Sequence, residues 1–164
     1  MYKFFAGILF VMILLVGCAK PDTAQKHFEN FEAAMKVKDY DKAKKNVDSA
    51  CAMNHAQACY ADGQLYLHAQ NKPSAIKRFT KACEFDHALA CAKLGRLLMG
   101  SSDIKGGFEA LKKACELQDA LSCAYLARLH TVGMGEVIKK DESIASEYHK
   151  KACMIDKEFC EQNK

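Results

Sequence analysis

A cysteine spacing constrains this chain more than any other feature. Cys51 and Cys59, Cys83 and Cys91, and Cys115 and Cys123 each stand eight positions apart, and the first members recur every 32 residues (51, 83, 115). Cys153 and Cys160 form a fourth pair that is one residue shorter. The sequence around each pair is alike in kind. Ala75, Phe79, Ala82 and Cys83 precede a short polar turn, and Ala90, Cys91, Leu94, Leu97 and Leu98 follow it. Small and apolar residues at helical intervals on both sides of a polar turn describe two helices reversing on one another. A fixed period of this length marks a solenoid of stacked helix pairs. If the first helix ends one turn after its cysteine, and the second carries its cysteine one turn in, both sulfurs reach the same height and can bond.

The repeat can be followed beyond the cysteines. Val47, Phe79 and Leu111 each lie twelve positions before the second cysteine of their pair, and so does Tyr148. From Leu111 to Tyr148 is 37 residues instead of 32, so five residues are inserted, and Gly133-Met134-Gly135-Glu136-Val137 accounts for them. The turns inside the pairs read Asn54-His55, Asp86-His87 and Gln118-Asp119. Histidine and aspartate exchanging at one turn position indicates turn and cap chemistry, not a catalytic base. The other connections are Gln70-Asn71-Lys72-Pro73 and Gly100-Ser101-Ser102-Asp103, with Pro73 suited to a first helical turn.

The N-terminus carries an address. Lys3 precedes a continuous apolar run from Phe4 to Val16, a length that suits a signal segment and is short for a membrane span. The run ends in Leu15-Val16-Gly17-Cys18, which resembles a bacterial lipobox. The resemblance implies cleavage before Cys18 and lipidation of Cys18, with two or more acyl chains giving a stable anchor. Ala19 after the cysteine favours the outer membrane, facing the periplasm. An ordinary secretory signal, giving a secreted protein, or an uncleaved anchor helix are the alternatives. Residues 1–17 are then the signal peptide, 18–24 a lipidated tether containing Pro21, and 25–164 the solenoid.

The nine cysteines of the chain, less Cys18, leave eight in four close pairs, and an exported chain meets an oxidising compartment. Four disulfides are expected: Cys51 with Cys59, Cys83 with Cys91, Cys115 with Cys123, and Cys153 with Cys160. The spacing is not the C-x2-C to C-x4-C of zinc sites, so no metal and no cofactor is expected. The net charge of +4, without a dense basic cluster, gives no indication of nucleic-acid binding.

Leu126-Ala127-Arg128-Leu129-His130, Gly133-Met134-Gly135, Lys140-Asp141, Ala145, Tyr148 and Lys151-Ala152-Cys153 together resemble the Sel-one-like repeat, a relative of the tetratricopeptide repeat. With cysteines eight apart, the chain is similar to the secreted Helicobacter cysteine-rich proteins. The resemblance covers about residues 40–164. It implies an all-α fold: an α/α-hairpin solenoid, a right-handed superhelix with a concave face, of about four disulfide-stapled repeats. Residues 25–39, with Phe28, Phe31, Ala34 and Met35, should form an opening helix without cysteines, and 157–163 a short closing one.

In relatives of this fold the second helix of each stapled pair lines the concave surface. Its recurring stripe here comprises Gln64 and His68, Lys93 and Arg96, and Tyr125 and Arg128. Arginine and tyrosine in register suit a carboxylate or a peptide backbone, while an ordinary solvated helix face has the same composition. The expected role is a binding scaffold in the cell envelope, for a protein, a peptide or a peptidoglycan-derived ligand. The membrane would be reached through the lipid. The family resemblance also implies a penicillin-binding protein or weak β-lactamase, and secretion to the host side is a third reading. Serine β-lactamases combine S-x-x-K with S-D-N and K-T-G. Ser74-Ala75-Ile76-Lys77 and Ser102-Asp103-Ile104-Lys105 match only the first, at helix starts where Ser or Asp caps are common, so no catalytic residue is assigned.

Overall fold

The computed structural model describes residues 23–160. The expected signal segment 1–17, Cys18 and residues 19–22 of the tether lie outside the described residues, as do residues 161–163 of the expected closing helix and Lys164. Eight α-helices follow in order among the described residues: α1 (Thr23–Lys36), α2 (Tyr40–Ala52), α3 (Ala56–His68), α4 (Lys72–Glu84), α5 (Ala88–Gly100), α6 (Ile104–Glu116), α7 (Ala120–Val132) and α8 (Glu142–Ile155). A single 3-10 turn, Lys157–Cys160, follows them. The opening helix, expected over 25–39, starts earlier and ends at Lys36, because Asp39 already caps α2.

The 32-residue period is two units of 16. Asp39, His55, Asn71, His87, Asp103 and Asp119 stand 16 apart and each caps the next helix, its side chain accepting the backbone N–H three residues on. These caps satisfy N–H groups that the first turn leaves without intrahelical partners. The residue before each cap is left-handed: Lys38, Asn54, Gln70, Asp86, Ser102 and Gln118 have φ between 58° and 71°. Behind it the cap's own N–H reaches back five residues, as in His87 N to Ala82 O at 3.1 Å, closing the preceding helix. One left-handed residue and one cap therefore reverse the chain at every junction.

Helix pairs alternate between two kinds of contact. The junctions α2–α3, α4–α5 and α6–α7 carry the disulfides, with Cα–Cα distances of 4.6, 4.7 and 4.8 Å. The expected helix end one turn after the cysteine is not what forms. Cys51, Cys83 and Cys115 are next to last in their helices, because so abrupt a reversal brings only the last turn within bonding reach. The pairs α3–α4 and α5–α6 pack through glycine instead. A Cβ on Gly63 would stand 2.6 Å from Phe79 Cε1, and one on Gly95 would stand 2.9 Å from the Gly107 carbonyl. Ala127 and Ala145 hold the corresponding register in α7 and α8. Val47, Phe79, Leu111 and Leu126 are fully buried between the layers.

The fourth repeat corrects the register. Asp141, Ala145, Ala152 and Cys153 lie 38 residues after Asp103, Gly107, Ala114 and Cys115. The insertion is therefore six residues, not five. The shortening by one falls in the last staple turn, where Asp156 directly follows α8 and accepts from Glu158 N. Tyr148 does not take the buried place of Leu111. It stacks on His130, with ring centroids 5.8 Å apart. The inserted loop turns at Gly133 (φ 80°) and Gly135 (φ 58°), pairs Met134 with Ile138, and buries Ile138.

Neighbouring repeats are also stitched by the caps. His87 Nδ1 accepts Ala90 N–H, its Nε2 lies 2.6 Å from Gln57 Oε1, and its ring stacks on Tyr60 at 4.5 Å. His55 repeats this with Ala58, Gln25 and Phe28. In the third repeat Asp119 caps instead, and the positions of the partners hold Leu89 and Ala92.

Candidate binding surface

Helices α3, α5 and α7 present the expected stripe. Gln64, Arg96 and Arg128 are exposed at the same register of these alternate helices, while Lys93 and Tyr125 are half-buried beside them. His68 is exposed at the end of α3. Gln64 Nε2 donates to the Tyr60 hydroxyl at 3.2 Å. The Arg128 guanidinium lies over the Tyr125 ring, 5.4 Å from its centroid, a cation–π placement. The stripe is thus a line of separate groups, and only Tyr125 and Arg128 touch.

Arg128 also borders a cleft of about 400 Å³ between α7 and α8. Ala124, Ala127 and Ala145 form part of its lining, with Thr131, Glu142, Ser146 and His149 around them. His149 stands where Phe79 and Leu111 stand in their helices, 38 residues after Leu111. A large apolar side chain gives way here to a polar one beside three alanines. The cleft sets the Arg128 guanidinium, the Glu142 carboxylate and the Thr131 and Ser146 hydroxyls around a floor of methyl groups, suited to a polar ligand with a small apolar neighbour.

A second polar group was not expected from the stripe. Asp62, fully buried in α3, has Lys44 Nζ 3.0 Å from Oδ1 and Arg78 Nε 2.6 Å from Oδ2. Asp48 Oδ1 meets the same two cations at 2.6 and 3.0 Å, and Lys44 lies over the Tyr66 ring. Burial pushes the Asp62 carboxyl above the ordinary aspartate range against the opposing pull of Lys44 and Arg78. For Lys44, burial pulls downward but Asp48 and Asp62 outweigh it and hold the ammonium above its ordinary value. The signal was available in register: Asp62 corresponds to Leu94 and Leu126, and Lys44 to Ile76 and Phe108. One repeat exchanges core hydrocarbon for paired charge.

Ser74 lies in the first turn of α4 and Ser102 is the left-handed residue before the Asp103 cap; neither borders the cleft. Among the described residues no group of three or more His, Cys, Asp or Glu is placed to hold a metal ion, and no helix is long and apolar enough to cross a membrane.

The arrangement of this chain is similar to that of a Sel1 repeat protein from Oxalobacter formigenes, with 24% identity, a TM-score of 0.64, and coverage of 82% of this chain and 57% of the other. It is also similar to c5321, a protective antigen of uropathogenic Escherichia coli strains displaying an SLR fold, with 22% identity, a TM-score of 0.65, and coverage of 80% and 29%. The fold is a Sel1-like repeat solenoid. MamA gives a TM-score of 0.58 at 17% identity, covering 87% of this chain and 83% of its own. The chain spans little more than half of the first of these proteins and under a third of the second. No protein-family profile and no curated protein matches the chain. Identities this low speak to the fold.

Proposed function

We propose that this Sel1-like solenoid is an exported, lipid-anchored scaffold of the bacterial cell envelope that binds a protein, peptide or peptidoglycan-derived ligand along α3, α5 and α7. The observation that carries the reading is the shared register of Arg96 on α5 and Arg128 on α7, with the open cleft beside Arg128. Carboxylates presented by an extended ligand would meet both guanidinium groups in turn. Four disulfides in one short chain fit an oxidising compartment, and the Leu15–Cys18 motif supports a lipid anchor there, facing the periplasm.

The test is capture from solubilised envelope on immobilised, fully oxidised protein, with Arg96→Glu/Arg128→Glu as the comparison. A partner retained by the wild type and lost from the double variant supports the reading. Identical capture by both, with both shown folded, removes the stripe as the binding surface.

A further inference from the structure

A place that a loop fills in the third repeat stands open in the first. In the third repeat Ile138, on the inserted loop, is 1% exposed and shares an apolar cluster with Leu129, against which Met99, Ile104 and Phe108 pack. The loop is held there by Met134 N to Ile138 O at 2.7 Å, Asp141 N to His130 O at 2.8 Å, and His130 Nδ1 to Lys139 O at 3.2 Å. Sixty-four residues earlier the register gives Met35 for Met99, Tyr40 for Ile104, Lys44 for Phe108, Leu65 for Leu129 and Tyr66 for His130. No inserted loop follows α3, where Ala69 and Gln70 lead directly to the Asn71 cap. These residues border an open groove of about 240 Å³.

Lysines border it. Lys44 is part of its lining, and Lys36 and Lys38 are exposed on the α1–α2 turn, against Asp39 and Asp41. Asp39 is engaged in capping Lys42 N. Val37 and Tyr40 are exposed beside the groove, an apolar rim next to the Lys36 and Lys38 ammonium groups.

We propose that the groove between α1, α2 and α3 docks an extended, acidic segment of a partner protein that inserts one branched aliphatic side chain. The inserted side chain takes the place that Ile138 takes in the third repeat, and flanking carboxylates meet the lysines. This rests on the reading of the protein as a binding scaffold, but it uses a different edge from the Arg96–Arg128 stripe.

The probe is the loop's own sequence from Gly135 to Asp141 with its two lysines exchanged for glutamate and its last residue for glycine, the fluorescent peptide Gly-Glu-Val-Ile-Glu-Glu-Gly, titrated with the disulfide-bonded full chain and followed by anisotropy. The expected result is saturable binding that weakens at least tenfold when the peptide's isoleucine becomes alanine. Exchanging its three glutamates for lysines should weaken it by at least as much. Binding should fall severalfold or more with Ala69→Leu, which narrows the mouth at an exposed position, and with Tyr40→Ala. It should be unchanged in Arg96→Glu/Arg128→Glu. No binding by folded protein overturns the proposal, as does binding indifferent to the isoleucine. Loss of binding in the arginine double variant with none in Ala69→Leu assigns the peptide to the stripe and also overturns it.

Discussion

Asp62 is the residue at which the repeat departs most from itself, and the cost of its charge is unevenly shared. Lys44 and Arg78 keep part of their side chains in water, whereas the Asp62 carboxylate has none. Removing a cation strands a buried anion, but removing the anion lets the cations rehydrate and leaves them Asp48. Arg78→Met should therefore lower stability by about 3 kcal/mol. Asp62→Leu, the residue of the next two repeats, should stay within about 1 kcal/mol of the wild type or exceed it. Urea unfolding of the two variants decides this, and the reverse order would contradict it. His87 gives a pH dependence. Burial holds its imidazole below the ordinary 6.5, and its Nδ1 must stay unprotonated to accept Ala90 N–H. The unfolded chain then binds the proton first, so stability from His87 is complete above pH 6.5 and is lost as pH falls through the folded value. His87→Asp, copying Asp119, should keep the cap and flatten this loss, as read by melting temperature between pH 7 and 5.

At the scale of the elements, the close crossings and the open helix ends predict opposite signs for one substitution. Gly95→Ala gains helix propensity of up to about 1 kcal/mol but drives a methyl to 2.6 Å from Leu111 Cγ and 2.9 Å from a backbone oxygen. It should destabilise by about 1–3 kcal/mol. A Cβ on Gly100 meets nothing within 4 Å, so Gly100→Ala should stabilise by about 0.5–1 kcal/mol. Thermal melts of the pair check both. The helices, their order and the staple pairs were legible in the sequence, because a 32-residue period places cysteines and apolar residues at the same register three times. The fourth repeat was misread because Tyr148 mimics the spacing of Leu111, while the Asp141 cap and the small Ala145 carry the true register. Asp62 was not legible as a buried position, because apolar periodicity does not mark a charged residue that stands in the core register. The His55 and His87 caps were legible as turn chemistry. Their partners Gln25, Phe28, Gln57 and Tyr60 were not, since only the packing of one repeat on the next brings residues about 30 positions apart together.

For the whole molecule, the disulfides and the alternating helix pairs make stability a sum over neighbours. Each staple closes a loop of seven or eight residues and contributes roughly 2–3 kcal/mol by restricting the unfolded chain. Six of the eight bonded cysteines are buried, but Cys160 is exposed and Cys153 half-exposed. Access controls thiol exchange, so limited reduction followed by alkylation should label Cys153 and Cys160 before the other six. The account as a whole depends on a chain that matures where disulfides form. The most direct measurement is peptide mapping, without prior reduction, of protein recovered from the cell envelope of the organism that makes it. The account predicts four pairs and only these: Cys51–Cys59, Cys83–Cys91, Cys115–Cys123 and Cys153–Cys160, with Cys18 lipidated. Free thiols at several of these positions, or bonds between distant repeats, would contradict both the stapled solenoid and its place outside the cytoplasm.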